Sequence, residues 1–153
     1  MTFTAAWLGW PVPTVRLVSD TRGVEIACAP AKMGAELRLT YVHSIYRQPA
    51  AEEFRVRADG LALVRLRSVS VPVLEYYARP ESIRSVGGDY VVDVPNERHG
   101  SLPVLVSALG QRTVHYDGRV WPLHELAADG ERVRLTVEPA ARMCSLWPKA
   151  RPR

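Results

Sequence analysis

The chain has 153 residues, 47% apolar and 24% charged, with a formal net charge of +4 and two cysteines. That composition fits one globular domain with a real core, and it excludes a disordered chain, a disulfide scaffold and, lacking an apolar run of about 18 residues, a transmembrane helix. The basic residues, eighteen arginines and two lysines, are spread evenly and no aromatic residues interleave with them, which excludes a nucleic-acid-binding stripe.

In chain order, Met1–Pro13 is mildly apolar with Trp7 and Trp10, but lacks the basic start and the apolar length of a secretory signal. Residues 1–13 read as a shortened export or anchor remnant, 14–147 as a single domain and 148–153 as a disordered tail. Thr14–Ser19 and Val24–Cys28 are strands around the turn-rich Asp20–Gly23. Leu37, Leu39, Tyr41 and His43 alternate with Arg38, Thr40, Val42 and Ser44, the period of a strand with two unlike faces. Gln48-Pro49 interrupts, and Phe54 and Val56 then alternate with Glu53, Arg55 and Arg57 up to the turn at Asp59-Gly60. Ala62, Val64 and Leu66 alternate with Leu63, Arg65 and Arg67.

The hairpin between those last two strands admits two registers. A two-residue Asp59-Gly60 loop sets Phe54 opposite Arg65 and mixes charge with apolar groups on both faces. A three-residue loop, Ala58-Asp59-Gly60 with Gly60 at positive φ, pairs Phe54 with Val64, Val56 with Ala62 and Glu53 with Arg65. The consistent face favours the three-residue loop. Phe54 and Val56 then share a face with Leu37, Leu39 and Tyr41, and His43 and Glu52 lie on that same face. Ser44 points the other way, so His43 and Ser44 do not form a base and nucleophile.

Beyond this hairpin, Ser68–Tyr77 is an apolar run broken at Pro72, and Tyr90–Val94 is a strand ending at Pro95. Asn96–Pro103 reads as a polar loop. Thr113–Tyr116 and Arg119–Leu123 form a hairpin on Asp117-Gly118, Leu123–Ala128 has room for one helical turn, and Arg132–Val137 is a last strand. Short strands at this spacing predict an all-β, single-domain antiparallel sandwich or barrel with little helix.

YVHSIYRQPAAEEF, from Tyr41 to Phe54, resembles the hallmark of domain-of-unknown-function family 1850: a His-Ser pair, a proline and a Glu-x-Phe. Here these are His43-Ser44, Pro49 and Glu52-Glu53-Phe54, and the Glu-x-Phe spacing selects Glu52. Val73–Pro80 (VLEYYARP) and Ser107–Leu123 (SALGQRTVHYDGRVWPL) extend the resemblance from about Val15 to Val137. No activity is assigned to that family. The resemblance implies an accessory domain of a TRAP-type transport system of the TAXI branch, extracytoplasmic or membrane-associated. The absence of a clear signal in the sequence leaves a cytoplasmic location open. An exported domain admits a bridge between Cys28 and Cys144, and two free thiols are the alternative.

No nucleotide-binding glycine motif, hydrolase elbow or metal-ligand spacing occurs, so the sequence points to no cofactor, no metal and no catalytic residue. His99, His115 and His124 fall in different elements. His43 and Glu52, with Tyr41 beside them, are the candidate ligand-binding residues. One reading makes them a buried structural pair that pins a turn. The other makes them the polar mouth of an apolar cavity suited to a small anionic ligand, the imidazole being held protonated by the carboxylate. Three function classes follow: a non-enzymatic accessory or small-ligand-binding domain, a protein-interaction domain docking on a membrane partner, and an enzyme that uses His43 and Glu52.

Overall fold

Period-two alternation in the sequence becomes two antiparallel sheets. The computed structural model describes residues 11–78 and 82–140. The first sheet holds β1 (Val12–Ser19), β2 (Val24–Pro30), β8 (Ser101–Leu105) and β11 (Arg132–Ala140) in the order β2-β1-β11-β8. The second holds β3 (Glu36–Val42), β4 (Pro49–Arg57), β5 (Gly60–Ser68), β6 (Arg84–Val86), β7 (Asp89–His99), β9 (Thr113–Tyr116) and β10 (Arg119–Pro122), in the order β10-β9-β3-β4-β5-β7-β6. Neither sheet closes on itself, so the all-β fold is a sandwich, not a barrel. Two short helices complete the description, α1 (Val71–Glu75) and α2 (Leu123–Leu126).

The core lies between the sheets. Val15, Leu17, Val133 and Leu135 from the first meet Leu37, Phe54, Val56 and Val114 from the second, all fully buried. Tyr116 is buried with them. Its hydroxyl donates to the Pro30 carbonyl at 3.0 Å and accepts from the Lys32 N–H at 2.8 Å, which removes the cost of an unpaired polar atom in the core. The second sheet is wider than the first. Its overhanging inner face, at Leu66 and Val92, is covered by Leu74 of α1.

The β4–β5 hairpin differs from the expected register at its tip. Arg57 pairs with Gly60, Val56 with Leu61 and Phe54 with Leu63, so the loop is the two residues Ala58 and Asp59. A bulge at Val64 then absorbs one residue, and Glu53 meets Arg65 as the face pattern requires. Val64 is also where β5 slips against β7: Leu63 pairs with Glu97 but Arg65 with Asp93, leaving Val94, Pro95 and Asn96 as an insertion, with Asn96 at φ 46°. That insertion explains why β7 runs past Pro95, a residue that cannot donate to a ladder and that a bulge tolerates. The segment expected to be a polar loop, Asn96–Pro103, is therefore the end of β7, a turn at Gly100 and the start of β8. Ser68–Tyr77 is not an extended run, because Pro72 stands in the first turn of α1, where its missing N–H costs nothing.

The arginine-rich outer face is closed by ion pairs. Glu53, buried, lies 3.4 Å from Arg65 and 3.0 Å from Arg67; Arg65 reaches Asp93 at 2.9 Å and Arg67 reaches Asp89 at 3.1 Å. Cys28 is buried in β2 and is not a free thiol. Cys144, residues 1–10 of the N-terminal segment and the 148–153 tail lie outside the described residues. Val12 and Pro13, at the end of that segment, belong to β1. No helix among the described residues is long and apolar enough to cross a membrane.

Candidate functional site

The β3–β4 register decides which candidate residues meet. Tyr41 pairs with Ala50 and Glu52 with Leu39. Four residue steps of extended chain lead from Leu39 to His43, so Glu52 and His43 share a face but stand roughly 13 Å apart along it. No hydrogen bond or ion pair joins them. The two residues line neighbouring cavities that share Tyr77 as a wall, and Tyr41 lies between them along the sheet.

His43 follows the last residue of β3 and opens a tight turn. Its N–H donates to the Gln48 carbonyl at 2.9 Å, and its own carbonyl accepts from the Arg47 N–H at 2.8 Å. The ring is buried and packs on three tyrosines, stacked on Tyr46 at 5.3 Å and edge-on to Tyr76 at 5.3 Å and Tyr77 at 5.8 Å. Nδ1 accepts from the Tyr46 N–H at 3.4 Å, which requires that nitrogen to carry no proton. His43 is thus an organising residue of the turn, and no carboxylate of the described residues pairs with it. Ser44 is exposed in the same turn.

Glu52 is half-buried on the inner face of β4. Burial pushes its carboxyl above the ordinary carboxylate range; the Tyr41 hydroxyl, Arg112 and His99 pull it back, and Glu97 adds to the push. The Tyr41 phenol is raised in turn, first by burial and then by Glu52 and Tyr77. The Tyr41 and Tyr77 hydroxyls are 3.5 Å apart. Glu52, Tyr41 and Tyr77 therefore form one polar cluster in an otherwise apolar wall.

Two cavities flank that cluster, both lined by Tyr77. The larger, about 430 Å³, has Glu52 in its lining and walls from Leu63, Leu66, Val92 and Leu102, with His99 and Glu97 paired at 3.6 Å. The smaller, about 250 Å³, is lined by Tyr41, His43, Ser107 and Arg112. Strand β8, at the edge of its sheet, flanks both, through Leu102 and Leu105.

Arg112 was not a candidate from the sequence, and it changes the site. Its guanidinium lies 5.8 Å from the centroid of the Tyr41 ring and donates to the Leu105 carbonyl. Among the described residues it is the one half-buried arginine with no carboxylate within 4.0 Å. The loop before β9 places it: the Gly110 carbonyl accepts from the Val42 N–H at 2.8 Å, and Gln111 turns the chain at φ 45°. Tyr77 was likewise outside the candidate set. Both residues lie in the two later segments that carry the family resemblance, which is the signal that marks them in the sequence. His115 bonds Thr40 at 3.1 Å on the outer face, away from the cleft. Among the described residues no three His, Cys, Asp or Glu side chains converge to hold a metal ion.

No curated protein and no solved structure matches the chain. Residues 37–123, more than half of the sequence and the stretch that contains Tyr41, His43, Glu52, Tyr77 and Arg112, match the family model for the domain of unknown function DUF1850, and the chain belongs to that family.

Proposed function

We propose that this domain is a non-enzymatic small-ligand-binding module, accessory to a TRAP-type transport system and placed outside the cytoplasm or at a membrane. The observation that carries the binding reading is Arg112: a half-buried cation with no carboxylate of the described residues within 4.0 Å, beside cavities where few polar groups converge on apolar walls. A preformed concave site with that balance is the usual form of a small-molecule site. An anionic ligand is favoured because an arginine held over an aromatic ring presents its remaining N–H donors in a fixed fork. The transport context rests on the family resemblance of the His43–Phe54 segment. An enzyme built on His43 and Glu52 is disfavoured by their separation along the sheet.

The docking alternative draws on one observation. Ile45, Tyr76, Leu105 and Leu109 are between 50% and 63% exposed around the smaller cavity, an apolar rim that a membrane partner would cover.

Thermal melting of the wild type with a panel of small carboxylates tests the binding reading. At least one should raise the melting temperature, and Arg112→Gln should lose that shift while keeping its own fold. A panel that leaves the wild type unmoved, together with retention of the domain on a membrane protein, would replace it with the docking reading.

A further inference from the structure

We infer that the ligand is an amphipathic monocarboxylate, its head group held by Arg112 with the Tyr41 and Tyr77 hydroxyls and its apolar chain laid in the larger cavity. The inference rests on the binding reading above and specifies its ligand.

The argument is the arrangement of the two cavities. They share Tyr77 as a wall, and the Tyr41–Tyr77 hydroxyl contact of 3.5 Å lies between the side that holds Arg112 and the side that holds Glu52, so a ligand that uses both passes this pair of hydroxyls. The smaller side supplies the cation. The larger side is walled by Leu63, Leu66, Val92 and Leu102, side chains that offer nothing to a second charge. A dicarboxylate would have to place its second carboxylate among them or beside His99, which already faces Glu97 at 3.6 Å, with Glu97 and Asp93 opposing it by like charge and desolvation adding to the cost. A short acid such as acetate would leave the apolar walls in contact with water. A cationic amphiphile would set its charge against Arg112. Glu52 lines the larger cavity, and burial raises its carboxyl, which lessens its opposition to a bound carboxylate. At about 430 Å³ the larger cavity lies near the lower end of the range of about 300–1,000 Å³ typical of small-molecule sites, which suits a single chain of medium length.

The experiment is titration calorimetry of the full chain with acetate, butanoate, hexanoate, octanoate and decanoate below their micellar concentrations, with succinate, octanol and octylamine as controls. Affinity should rise roughly fourfold per methylene up to the length the cavity accepts, then level off. Octanol should bind weakly, and succinate and octylamine not at all. Arg112→Gln should remove the difference between octanoate and octanol, while Val94→Thr on the cleft wall should flatten the chain-length gradient and leave the head-group preference. Wild-type protein that binds succinate or acetate as well as octanoate, or that prefers octylamine, overturns the amphipathic monocarboxylate while leaving a binding module. Wild-type protein that binds none of the eight compounds overturns both readings. The chain-length series uses only wild-type protein, so a variant that fails to fold does not remove the test.

Discussion

Gly60 lies so close to His99 that a β-carbon placed on it would stand 2.2 Å from the His99 carbonyl oxygen. The approach is backbone to backbone, at the start of β5 where the strand pairs with the end of β7, so no side chain can move aside. Gly60 also sits at φ 136°, a conformation that L residues rarely adopt. Gly60→Ala should therefore cost at least about 2 kcal/mol, and Gly60→Val more, since strain and overpacking act together. Asp59→Ser should stay within about 0.5 kcal/mol, because Asp59 is exposed and its 3.2 Å pair with Arg98 is a surface contact. Urea denaturation of the three variants checks the order, and an Asp59 variant weaker than the Gly60 variants would reverse it.

The hairpin around Gly60 also shows where sequence reading reaches and where it stops. The alternation of Phe54 and Val56 with arginines identifies the buried face, since burial on one side only leaves a period of two. The same pattern does not contain the bulge at Val64: the extra residue reverses the alternation along β5, so that Leu61 and Leu63 share the core face with Leu66, which a strict period of two does not show. Face was thus legible on β3 and β4, and on β5 only past the bulge, since Leu63 and not Val64 shares the face of Phe54. Pairing was not legible, and the distance from His43 to Glu52 depends on pairing. Arg112 and Tyr77 join the cleft from segments far away in sequence, so no local pattern brings them to Glu52. The helix at α1 was hidden for a different reason: five residues are too few for a period to show, and Pro72 reads as an interruption until its place in the first turn is known.

Glu53 is the keystone of the outer face, buried beneath two arginines that are themselves 37% and 27% exposed. Removing the carboxylate leaves Arg65 and Arg67 side by side with only Asp93 and Asp89 to hold them. Glu53→Ala should cost about 2–3 kcal/mol, below the 3–5 typical of a fully buried pair because water screens the guanidinium groups. Arg65→Ala should cost less than Arg67→Ala, since Arg65 is the more exposed and the more distant from Glu53. Chemical denaturation at low and high salt measures both, and a Glu53→Ala loss that vanishes at high salt would mean that the carboxylate is effectively solvated.

Acid should destabilise the fold through Glu131. Its carboxyl accepts from the Ser19 hydroxyl, from Arg22 at 2.8 Å and from the Ala128 N–H at 2.9 Å, and these bonds pull it down to about 2. A carboxyl lowered on folding binds fewer protons folded than unfolded, so stability rises with pH through that window. The contribution is complete above the ordinary value near 4.5 and is lost as pH falls toward 2. Glu131→Gln should accordingly be less stable than wild type at pH 7, with the difference shrinking across that interval. Melting curves at half-unit steps between pH 2 and 7 test it, and parallel pH profiles for the two proteins would refute the assignment.

Glu52 carries the opposite sign, and with His43 it gives the sharpest test of the cleft. Its raised carboxyl binds more protons folded than unfolded, so its contribution is fully present below the unfolded value and lost as pH rises through the folded one. Glu52→Gln, which cannot ionise, should therefore be neutral or slightly stabilising at pH 8 and closer to wild type at pH 4. His43→Ala removes a buried ring from contact with Tyr46, Tyr76 and Tyr77 and should cost about 1–3 kcal/mol. Because Tyr41 and Tyr77 stand between the two residues, the double variant should show a coupling energy below about 0.5 kcal/mol. Tyr41→Phe combined with Glu52→Gln should show a larger one, since each of the two groups shifts the other's titration. Both cycles are read from urea denaturation at pH 6. A strong His43–Glu52 coupling with none between Tyr41 and Glu52 would restore the direct pair and dissolve the polar cluster on which the proposed head-group site depends.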